Sequence, residues 1–394
     1  MDDSPKSAQA DKQTLIAGTS LAELNAIFMI RRPQSRQQFP SPRKGTPMPI
    51  AHPLVWLSLA AVTCGASLAA PPGAATLTAA GASVKKNDAG AIVQVRFKGP
   101  AVDRGLLAAL PELPELQSVV LAGTDADDAA LVPLGTISTL KNLDLRDCPV
   151  SNAGLAHLTG LENLAALRLS GKSGKTTVDD AGMEHVAKIS SLRAVMLDFL
   201  WVSEAGLETL VPLEKLEDLT LAQTLAGDEA VPVIARFPKL KRLRLAKTGI
   251  TGAGLAALEP LTNLRDLDIS ECASLDDAAL EPIGRLTALE RLNLWRVPVG
   301  NAGIAHLAPL VKLRWLNLDN TLLSDAGLEA LAGMKDLAFL HVGSTAVSNA
   351  GVDQLAALPA LREIFITRTA VDAAGADELR RRLPDAKVIT TAGE

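Results

Sequence analysis

The residues whose types and spacing could perform chemistry are concentrated in the segment LRLSGKSGKTTVDDAG, from Leu167 to Gly182. It has the order strand, glycine-rich turn, Gly-Lys-Thr and helix start, which is the order of a phosphate-binding loop. In such a loop the backbone N–H groups and the N-terminus of the following helix bind phosphate oxygens. Nucleotide binding is therefore the first hypothesis that the sequence raises.

The spacing of this segment departs from that of a phosphate loop. The pattern needs a second glycine five positions before Gly174, and the residue there is Leu169. The helix is predicted to begin near Asp180, where carboxylates would repel an anion. The segment instead predicts a solvated basic loop.

A second interpretation of this loop is that it contacts a partner. Lys172 and Lys175 supply positive charge, and Trp201 is predicted to lie at the same edge of the protein. These three residues form a secondary partner-contact candidate. Phosphate or nucleotide binding through residues 171–177 is retained as the weakest alternative.

Histidine and cysteine could supply metal ligands or nucleophiles, but their positions do not converge. His157, His185 and His306 share one place in a recurring A-G-x-x-H pattern, with no cysteine or carboxylate cluster beside them. This predicts exposed side chains on helices. The cysteines have neither metal-ligand spacing nor a disulfide framework: Cys64, Cys148 and Cys272. We therefore predict no metal, no cofactor and a chain that is not an enzyme.

Composition limits the class of protein. Hydrophobic residues make up 48% of the 394 residues, aromatic residues only 3%, and tyrosine is absent. The core must therefore consist mainly of Leu, Ala and Val. The net charge of −5 argues against nucleic acid as a partner, because nucleic-acid binding requires a basic face.

The N-terminal region differs from the rest of the chain. Residues 1–47 are polar, and we predict that they are disordered or an artefactual extension, with translation beginning at Met29 or Met48. Residues 48–70 carry an apolar run behind several basic residues and are predicted to be a signal peptide cleaved after Ala69, or a membrane anchor. Export to the periplasm or the cell exterior follows.

Alternatives for this apolar run stay open. An uncleaved segment 54–70 would anchor the protein, and this is the only membrane contact that the sequence predicts. Lipidation of Cys64 is disfavoured by Thr63 before it. Residues 71–91 are predicted to be a linker and an N-terminal cap.

An internal repeat dominates the remainder. The pattern L-x-x-L-x-L recurs at steps of 24 residues, except for a step of 28 after Leu164 and a step of 25 after Leu264. A second motif, such as SNAGLAHL or SEAGLETL, recurs after six of these copies. The first apolar positions are Ile92, Leu116, Leu140, Leu164, Leu192, Leu216, Leu240, Leu264, Leu289, Leu313, Leu337 and Leu361.

This pattern resembles the leucine-rich-repeat family over about residues 81–390. Thr or Cys replaces the usual Asn after the strand, which is similar to the cysteine-containing subclass of F-box proteins and to exported bacterial relatives. The resemblance implies an α/β solenoid, a horseshoe with a concave parallel β-sheet and short helices on the convex side. Residues 92–394 would hold about 11–12 repeats and a C-terminal cap. No F-box-like domain precedes the repeats, so a ubiquitin-ligase role is not implied.

Elementary physics leads to the same architecture. The last two Leu of each copy alternate with polar residues, which is the period of a strand. One short strand cannot bury its face alone, so copies must stack. A Ser or Thr before the A-G motif can cap a short helix. Cys148 and Cys272 would lie five strands apart, about 24 Å, so they are predicted to be buried free thiols.

The outward-facing positions of the strands are the candidate binding surface. Asp218, Arg242, Asp266 and Arg291 alternate in sign on adjacent strands and predict cross-strand ion pairs. Aromatic residues follow, and they either stack on one another for stability or form a binding hot spot. The predicted partner-binding residues are Arg291, Asn293, Trp295, Trp315, Asn317, Asp319, Phe339, His341, Glu363 and Phe365.

The sequence thus predicts a non-catalytic module that binds a protein or peptide through its concave face. Carbohydrate binding by an exported protein is the alternative, because Trp faces also stack on sugar rings.

Overall fold

The computed structural model describes residues 72–391. The predictions for residues 1–47 and 48–70, including Cys64 and the apolar run, lie outside the described residues. No helix within 72–391 is both long enough and apolar enough to cross a membrane.

One sheet of fourteen strands runs through the described residues, with the strands in chain order. The first two strands form an antiparallel hairpin, and every later neighbour is parallel. The strands are β1 Ala82–Lys86, β2 Ile92–Phe97, β3 Ser118–Val120, β4 Asn142–Asp144, β5 Ala166–Ser170, β6 Ala194–Asp198, β7 Asp218–Thr220, β8 Arg242–Arg244, β9 Asp266–Asp268, β10 Arg291–Asn293, β11 Trp315–Asn317, β12 Phe339–His341, β13 Glu363–Phe365 and β14 Lys387–Ile389.

Short helices alternate with the strands. The α-helices are Ala74–Ala79, Arg104–Ala109, Asp128–Leu134, Asn152–Leu155, Asp180–Val186, Glu204–Leu210, Ala230–Ile234, Gly252–Leu255, Leu280–Gly284, Asn301–Ala305, Val352–Ala356 and Ala373–Arg382. The 3₁₀ helices are Leu110–Glu112, Ala156–Leu158, Ala256–Leu258, Asp277–Ala279, Asp325–Leu331 and Asn349–Gly351. The predicted α/β leucine-rich-repeat solenoid is confirmed.

The leucine register is as predicted. In β8, Leu243 is fully buried, whereas Arg242 is exposed and Arg244 half-buried on the opposite face. In-register pairing of Leu243 with Leu219 and Leu267 repeats this alternation across the sheet. The polar residues that alternate with the leucines therefore share the inner surface of the solenoid.

Each strand from β2 to β13 is followed by a turn in which one residue has a positive φ. Gly99, Gly123 and Gly174 take this place after β2, β3 and β5, but nine other residues of the described chain adopt φ between 52° and 63° without being glycine. They are Asp147, Phe199, Gln223, Lys247, Glu271, Arg296, Asn320, Ser344 and Arg368. L-residues pay a steric cost in this region, and Phe199 is the one apolar member of the column.

The Thr or Cys that follows this residue points inward, as predicted. The Thr248 hydroxyl donates to the Leu245 carbonyl at 2.7 Å, and the Cys272 thiol donates to the same carbonyl at 3.1 Å. The Cys148 thiol likewise donates to Leu121 at 3.0 Å. Both cysteines are buried and free, and burial raises the pKa of each thiol. They are structural parts of the turn.

In most repeats, Asp or Asn near the start of the convex helix forms a hydrogen bond to the next repeat. Asp180 accepts from the backbone N–H of Ser203 at 2.8 Å and from its hydroxyl at 2.6 Å. A Cβ on Gly206 would lie 2.3 Å from the Asp180 carboxylate, so glycine is required there. Asp228, Asp325 and Asn349 contact Thr251, Ser348 and Asp372 in the same way. This ladder holds the repeats at a fixed spacing.

Candidate functional site

The inner surface divides into two regions, which we call the ionic ladder and the ring stack. The ionic ladder consists of Asp218, Arg242, Asp266 and Arg291 on β7 to β10. Arg242 pairs with Asp218 at 2.6 Å and with Asp266 at 3.3 Å, and Arg291 approaches Asp266 at 3.8 Å. The predicted cross-strand ion pairing is confirmed.

Burial works against the charges of this ladder. Desolvation raises the pKa of Asp218 above its ordinary value, and the Arg242 guanidinium only partly offsets it. Asp266 shows the same balance, with burial outweighing Arg291 and Arg242. The Asp218 Oδ1 atom also has no hydrogen-bond partner within the described chain. The ladder therefore neutralises charge on this face without making the ion pairs strongly stabilising.

The ring stack begins where the ladder ends. The Arg291 guanidinium lies 3.5 Å from the centre of the Trp315 ring. Trp315 stacks on Phe339 with centroids 4.8 Å apart and planes inclined by 10°. Phe339 contacts Phe365 at 5.4 Å, and Phe365 stacks on His341 at 4.7 Å. Five side chains from β10 to β13 thus form one continuous stack.

The stacking follows from strand register. Trp315 and Phe339 are paired residues of β11 and β12, and His341 and Phe365 are paired residues of β12 and β13. Directly opposed residues of adjacent strands are close enough for ring contact. All four rings are half-buried, so each keeps part of its surface open to solvent. The sequence predicted a patch that is more exposed than this, because it did not foresee how completely the rings cover one another.

Trp295 stands apart from the stack. It lies beyond the end of β10, and its ring contact within residues 72–391 is with the Arg296 guanidinium at 5.4 Å. Trp295, which the sequence predicts to be a partner-binding residue with the other rings, therefore does not join the stack. Glu363 is in register with Phe339 at the far side of the stack.

Three of the predicted binding residues also accept a hydrogen bond from the backbone of the turn. The Asn293 side chain accepts from the backbone N–H of Trp295 at 3.2 Å, and Asn317 accepts from that of Asp319 at 2.9 Å. His341 accepts from Gly343 through Nδ1 at 3.1 Å. Short side chains at this position bond to the backbone two residues later, as in an Asx turn. Sequence analysis missed this role, although Asp, Asn and His recur at the position.

Asp319 and His341 form a compact polar pair beside the stack. Asp319 is only 8% exposed, and its Oδ1 has no hydrogen-bond partner within the described residues. It lies 3.8 Å from His341 Nδ1. Burial lowers the pKa of His341 below its ordinary value, and Asp319 opposes that shift only in part. Because Nδ1 accepts the Gly343 N–H, His341 is neutral with its proton on Nε2.

Of the secondary partner-contact residues, Lys172 and Trp201 lie close together, whereas Lys175 lies farther along the same loop. Trp201 and Lys172 line one cavity of about 350 Å³, and Lys175 lies in the same exposed loop without lining it. Asp179 pairs with Trp201 in an isolated parallel bridge. Sequence analysis did not identify two other residues that line this cavity, Phe199 and Leu225.

The phosphate-loop hypothesis does not fit this geometry. The loop turns at Gly174, where φ is +73°, and Thr176 then re-enters the core by donating to the Cys148 and Ser170 carbonyls. The following helix begins at Asp180, and its N-terminal N–H of Ala181 is already capped by the Asp179 carboxylate. A carboxylate occupies the place where a phosphate would have to bind.

The three histidines of the A-G-x-x-H pattern form no metal site. His157 and His306 are exposed and His185 is half-buried. Within residues 72–391, no group of three or more His, Cys, Asp or Glu is placed to hold a metal ion.

Comparison with known proteins agrees with this architecture. Residues 136–158 match the sequence profile of the Leucine Rich repeat family. In fold the chain is similar to an internalin from Listeria monocytogenes, with 19% identity, coverage of 69% of this chain and 86% of the internalin, and a TM-score of 0.51. No curated protein matches its sequence.

Two further structures are similar with lower scores. An internalin C2 from Listeria monocytogenes has 22% identity, coverage of 54% of this chain and 84% of that chain, and a TM-score of 0.42. A leucine-rich-repeat protein from Leptospira interrogans has 14% identity, coverage of 75% and 89%, and a TM-score of 0.43. At these identities the likeness concerns the fold alone, and the cysteine-containing subclass stays a prediction.

Solenoids of this kind present an extended concave surface that binds partner proteins, and they typically serve as scaffolds. The 24-residue repeat, the family profile and the stacked parallel strands with their leucine core all identify the same architecture. The chain is a leucine-rich-repeat protein.

Proposed function

We propose that this protein is a non-catalytic binding module that recognises a protein or peptide through the ring stack on its concave face. The observation that carries the proposal is the continuous stack from Arg291 through Trp315, Phe339 and Phe365 to His341. Clusters of partly exposed aromatic side chains with polar neighbours are typical of interface hot spots.

The neighbours of the stack support recognition of a polypeptide. Arg291 and Asn317 border the rings, and they offer both hydrogen-bond donors and an acceptor to a bound backbone. The rings are held in place by their own contacts, so binding would require little ordering of side chains. Preorganisation of this kind lowers the entropic cost of association.

Carbohydrate binding is the second candidate, and Trp295 is the observation that favours it. Its half-buried ring is stacked on no other ring of the described chain, so a sugar would contact the part of this ring that solvent reaches. Glycan binding that is lost in Trp295→Ala but kept in Phe339→Ala would favour this alternative.

A displayed library of random peptides tests the main proposal. Peptides selected on the whole protein should bind Trp315→Ala about 30-fold more weakly, because truncating a central aromatic residue commonly costs about 2 kcal/mol. Arg168→Ala, on the same face but six strands away, is the matched control and should bind as the wild type does. Selected peptides that bind Trp315→Ala and Phe339→Ala unchanged would contradict the proposal.

We also propose that the protein is exported and that its mature chain begins near Ala70. The apolar run behind basic residues and its small-residue end support this. The intact mass of the protein purified from its native host tests it, and a species that still carries residues 1–47 would contradict it.

A further inference from the structure

A second surface lies at the edge of the sheet, after the carboxyl ends of β5 to β7, and we call it the Trp201 groove. Its cavity of about 350 Å³ is lined by residues of three consecutive repeats. The lining residues used below are Gly171, Lys172, Phe199, Trp201 and Leu225. Along the sheet, the last strand of the groove, β7, and the first strand of the ring stack, β10, are three strands apart, or about 14 Å.

Two of the residues that line the groove are large, apolar and exposed to solvent. Trp201 is 71% exposed and Leu225 is 52% exposed. Only five large hydrophobic residues within 72–391 are exposed, and these two occupy adjacent repeats of one cavity. A Trp at the surface beside a second apolar side chain is typical of an interface anchor.

Phe199 departs from the pattern of its column. The other eight non-glycine residues with positive φ after a strand are polar, whereas Phe199 has φ 63° and lines the groove. A bulky residue in this conformation is strained, and such strain concentrates at binding sites. The Phe199 carbonyl also approaches Gly171 so closely that a Cβ there would lie 2.1 Å away. The positive φ of Phe199 and the close approach of its carbonyl to Gly171 thus define the backbone path that places its ring in the groove.

The rim of the groove is cationic. The repeat that precedes Leu192 carries four extra residues between β5 and the next helix, and the loop that they lengthen contains Lys172 and Lys175. The Lys172 ammonium lies 5.8 Å from the centre of the Phe199 ring. Within the described chain, neither Lys172 nor Lys175 forms an ion pair. Insertions in single repeats of a solenoid form loops on one face, which is often the binding face.

Two carboxylates of this region accept hydrogen bonds from neutral donors. Asp147 accepts from the backbone N–H of Ser173 at 2.9 Å. Asp179 accepts from the Asn152 amide at 2.6 Å and from the Ala181 N–H at 3.0 Å. Neither carboxylate forms an ion pair with Lys172 or Lys175 among the described residues, so both ammonium groups can pair with a carboxylate of a partner.

We propose that the Trp201 groove binds an acidic–apolar peptide segment of a partner protein. A large apolar side chain of the segment would pack against Trp201 and Leu225, and an adjacent carboxylate would pair with Lys172 or Lys175. This site is separate from the ring stack, so the two proposals stand or fall independently.

The test uses the same displayed library of random peptides, about a dozen residues long, on the whole protein and its variants. Peptides that require the groove should carry Asp or Glu next to a large apolar residue. Trp201→Ala should weaken them about 30-fold and Lys172→Glu about fivefold, with the latter effect fading as salt rises. Trp315→Ala is the control and should leave them unchanged, whereas peptides of the ring stack should show the reverse pattern.

Three results would overturn the proposal. One is that no selected peptide loses affinity in Trp201→Ala, and another is that the groove-dependent peptides lack acidic residues. The third is that sedimentation shows a dimer of this chain that Trp201→Ala dissociates, because a second copy would then be the occupant. Thermal unfolding of Trp201→Ala should match the wild type, since the side chain is mostly exposed.

Discussion

The ionic ladder and the ring stack occupy equivalent positions on neighbouring strands of one sheet, yet they use their side chains in opposite ways. In the ladder each charge has a partner on the next strand, with Arg242 between Asp218 and Asp266. In the stack the rings contact one another through their faces and keep part of their surface open to solvent. The first region has little capacity left for a partner, whereas the second retains an apolar surface.

Arg291 belongs to both regions and marks their boundary. Its Nε lies 3.8 Å from Asp266, and its guanidinium covers the Trp315 ring at 3.5 Å. Guanidinium groups can make both contacts because they are planar and weakly hydrated. One architecture thus changes from an ion-paired surface to a surface of stacked rings across a single strand, and only the residues that alternate with the leucines differ.

The largest expected change is in the free energy of unfolding when a core leucine is replaced under either region, and it shows whether the two regions share one core. Leu243→Asp under the ladder and Leu316→Asp under the stack should each destabilise the protein by more than about 3 kcal/mol, because each buries an unpaired charge. Urea unfolding followed by circular dichroism measures this. Arg168→Ala on the concave face is the control and should change stability by less than about 0.5 kcal/mol.

Different unfolding behaviour of the two variants would show that the ladder repeats and the ring-stack repeats unfold separately. If Leu316→Asp melts the ring-stack repeats and leaves a second transition at the wild-type midpoint, the ladder repeats fold independently. Nearest-neighbour coupling between repeats predicts instead that both substitutions spread through the stack of repeats.

The next effect concerns how much the rings stabilise the fold. Trp315→Ala should cost about 1–2 kcal/mol of folding free energy, because it removes one stacked ring pair and the contact with Arg291. Trp295→Ala should cost less than about 1 kcal/mol, since its ring lies farther from a cation and outside the stack. Equal losses in thermal or urea unfolding would mean that stacking contributes little.

Much of the fold was predictable because the pattern is local and repeated. Two leucines alternating with polar residues determine which face of each strand is buried, and the constant step of 24 residues fixes the register. The positive φ after each strand was not predictable, because Gln223, Lys247 and Arg296 carry no residue-type signal for it. The contact between Asp180 and Gly206 was missed, although the glycine of every A-G motif indicated a close approach.

The sequence predicted which residues of the candidate site lie opposite each other on adjacent strands, but it did not predict all of their side-chain contacts. Register placed Trp315 opposite Phe339 and His341 opposite Phe365, and both pairs stack. Whether Trp295 joined them depended on its orientation beyond the strand end, which strand register does not determine. The Trp201 groove depends on the path of an irregular insertion, so only Lys172, Lys175 and Trp201 were foreseen.

A smaller effect is expected at the boundary residue. Arg291→Met should cost about 0.5–1 kcal/mol, and double-mutant cycles should show stronger coupling to Trp315 than to Asp266. The coupling to Asp266 should fade in about 1 M salt because exposed charges are screened, whereas the ring contact should persist. Stronger coupling to Asp266 would make Arg291 a member of the ladder alone.

The smallest expected effect is the pH dependence of the free energy of unfolding, and the contributions of the two regions should change in opposite directions as the pH falls. His341 has a pKa below its ordinary value of 6.5, because burial disfavours its charged form. The unfolded chain therefore binds a proton at this residue before the folded chain does. Stability contributed by neutral His341 is complete above pH 6.5 and is lost as the pH falls from there to the folded pKa.

The aspartates of the ladder behave in the reverse way. Burial raises the pKa of Asp218 and Asp266 above 3.8, so the folded protein takes up protons before the unfolded chain. Their contribution to stability therefore increases as the pH falls through the folded pKa, and it is complete below 3.8. His341→Phe, which keeps a ring beside Phe365, should remove the loss below pH 6.5, and Asp218→Asn should reduce the gain at lower pH. Urea unfolding at several pH values in this range gives the free energy of unfolding of each variant relative to the wild type, and hence its slope against pH. Slopes of the same sign in the two variants would show that the regions do not differ in their charge balance.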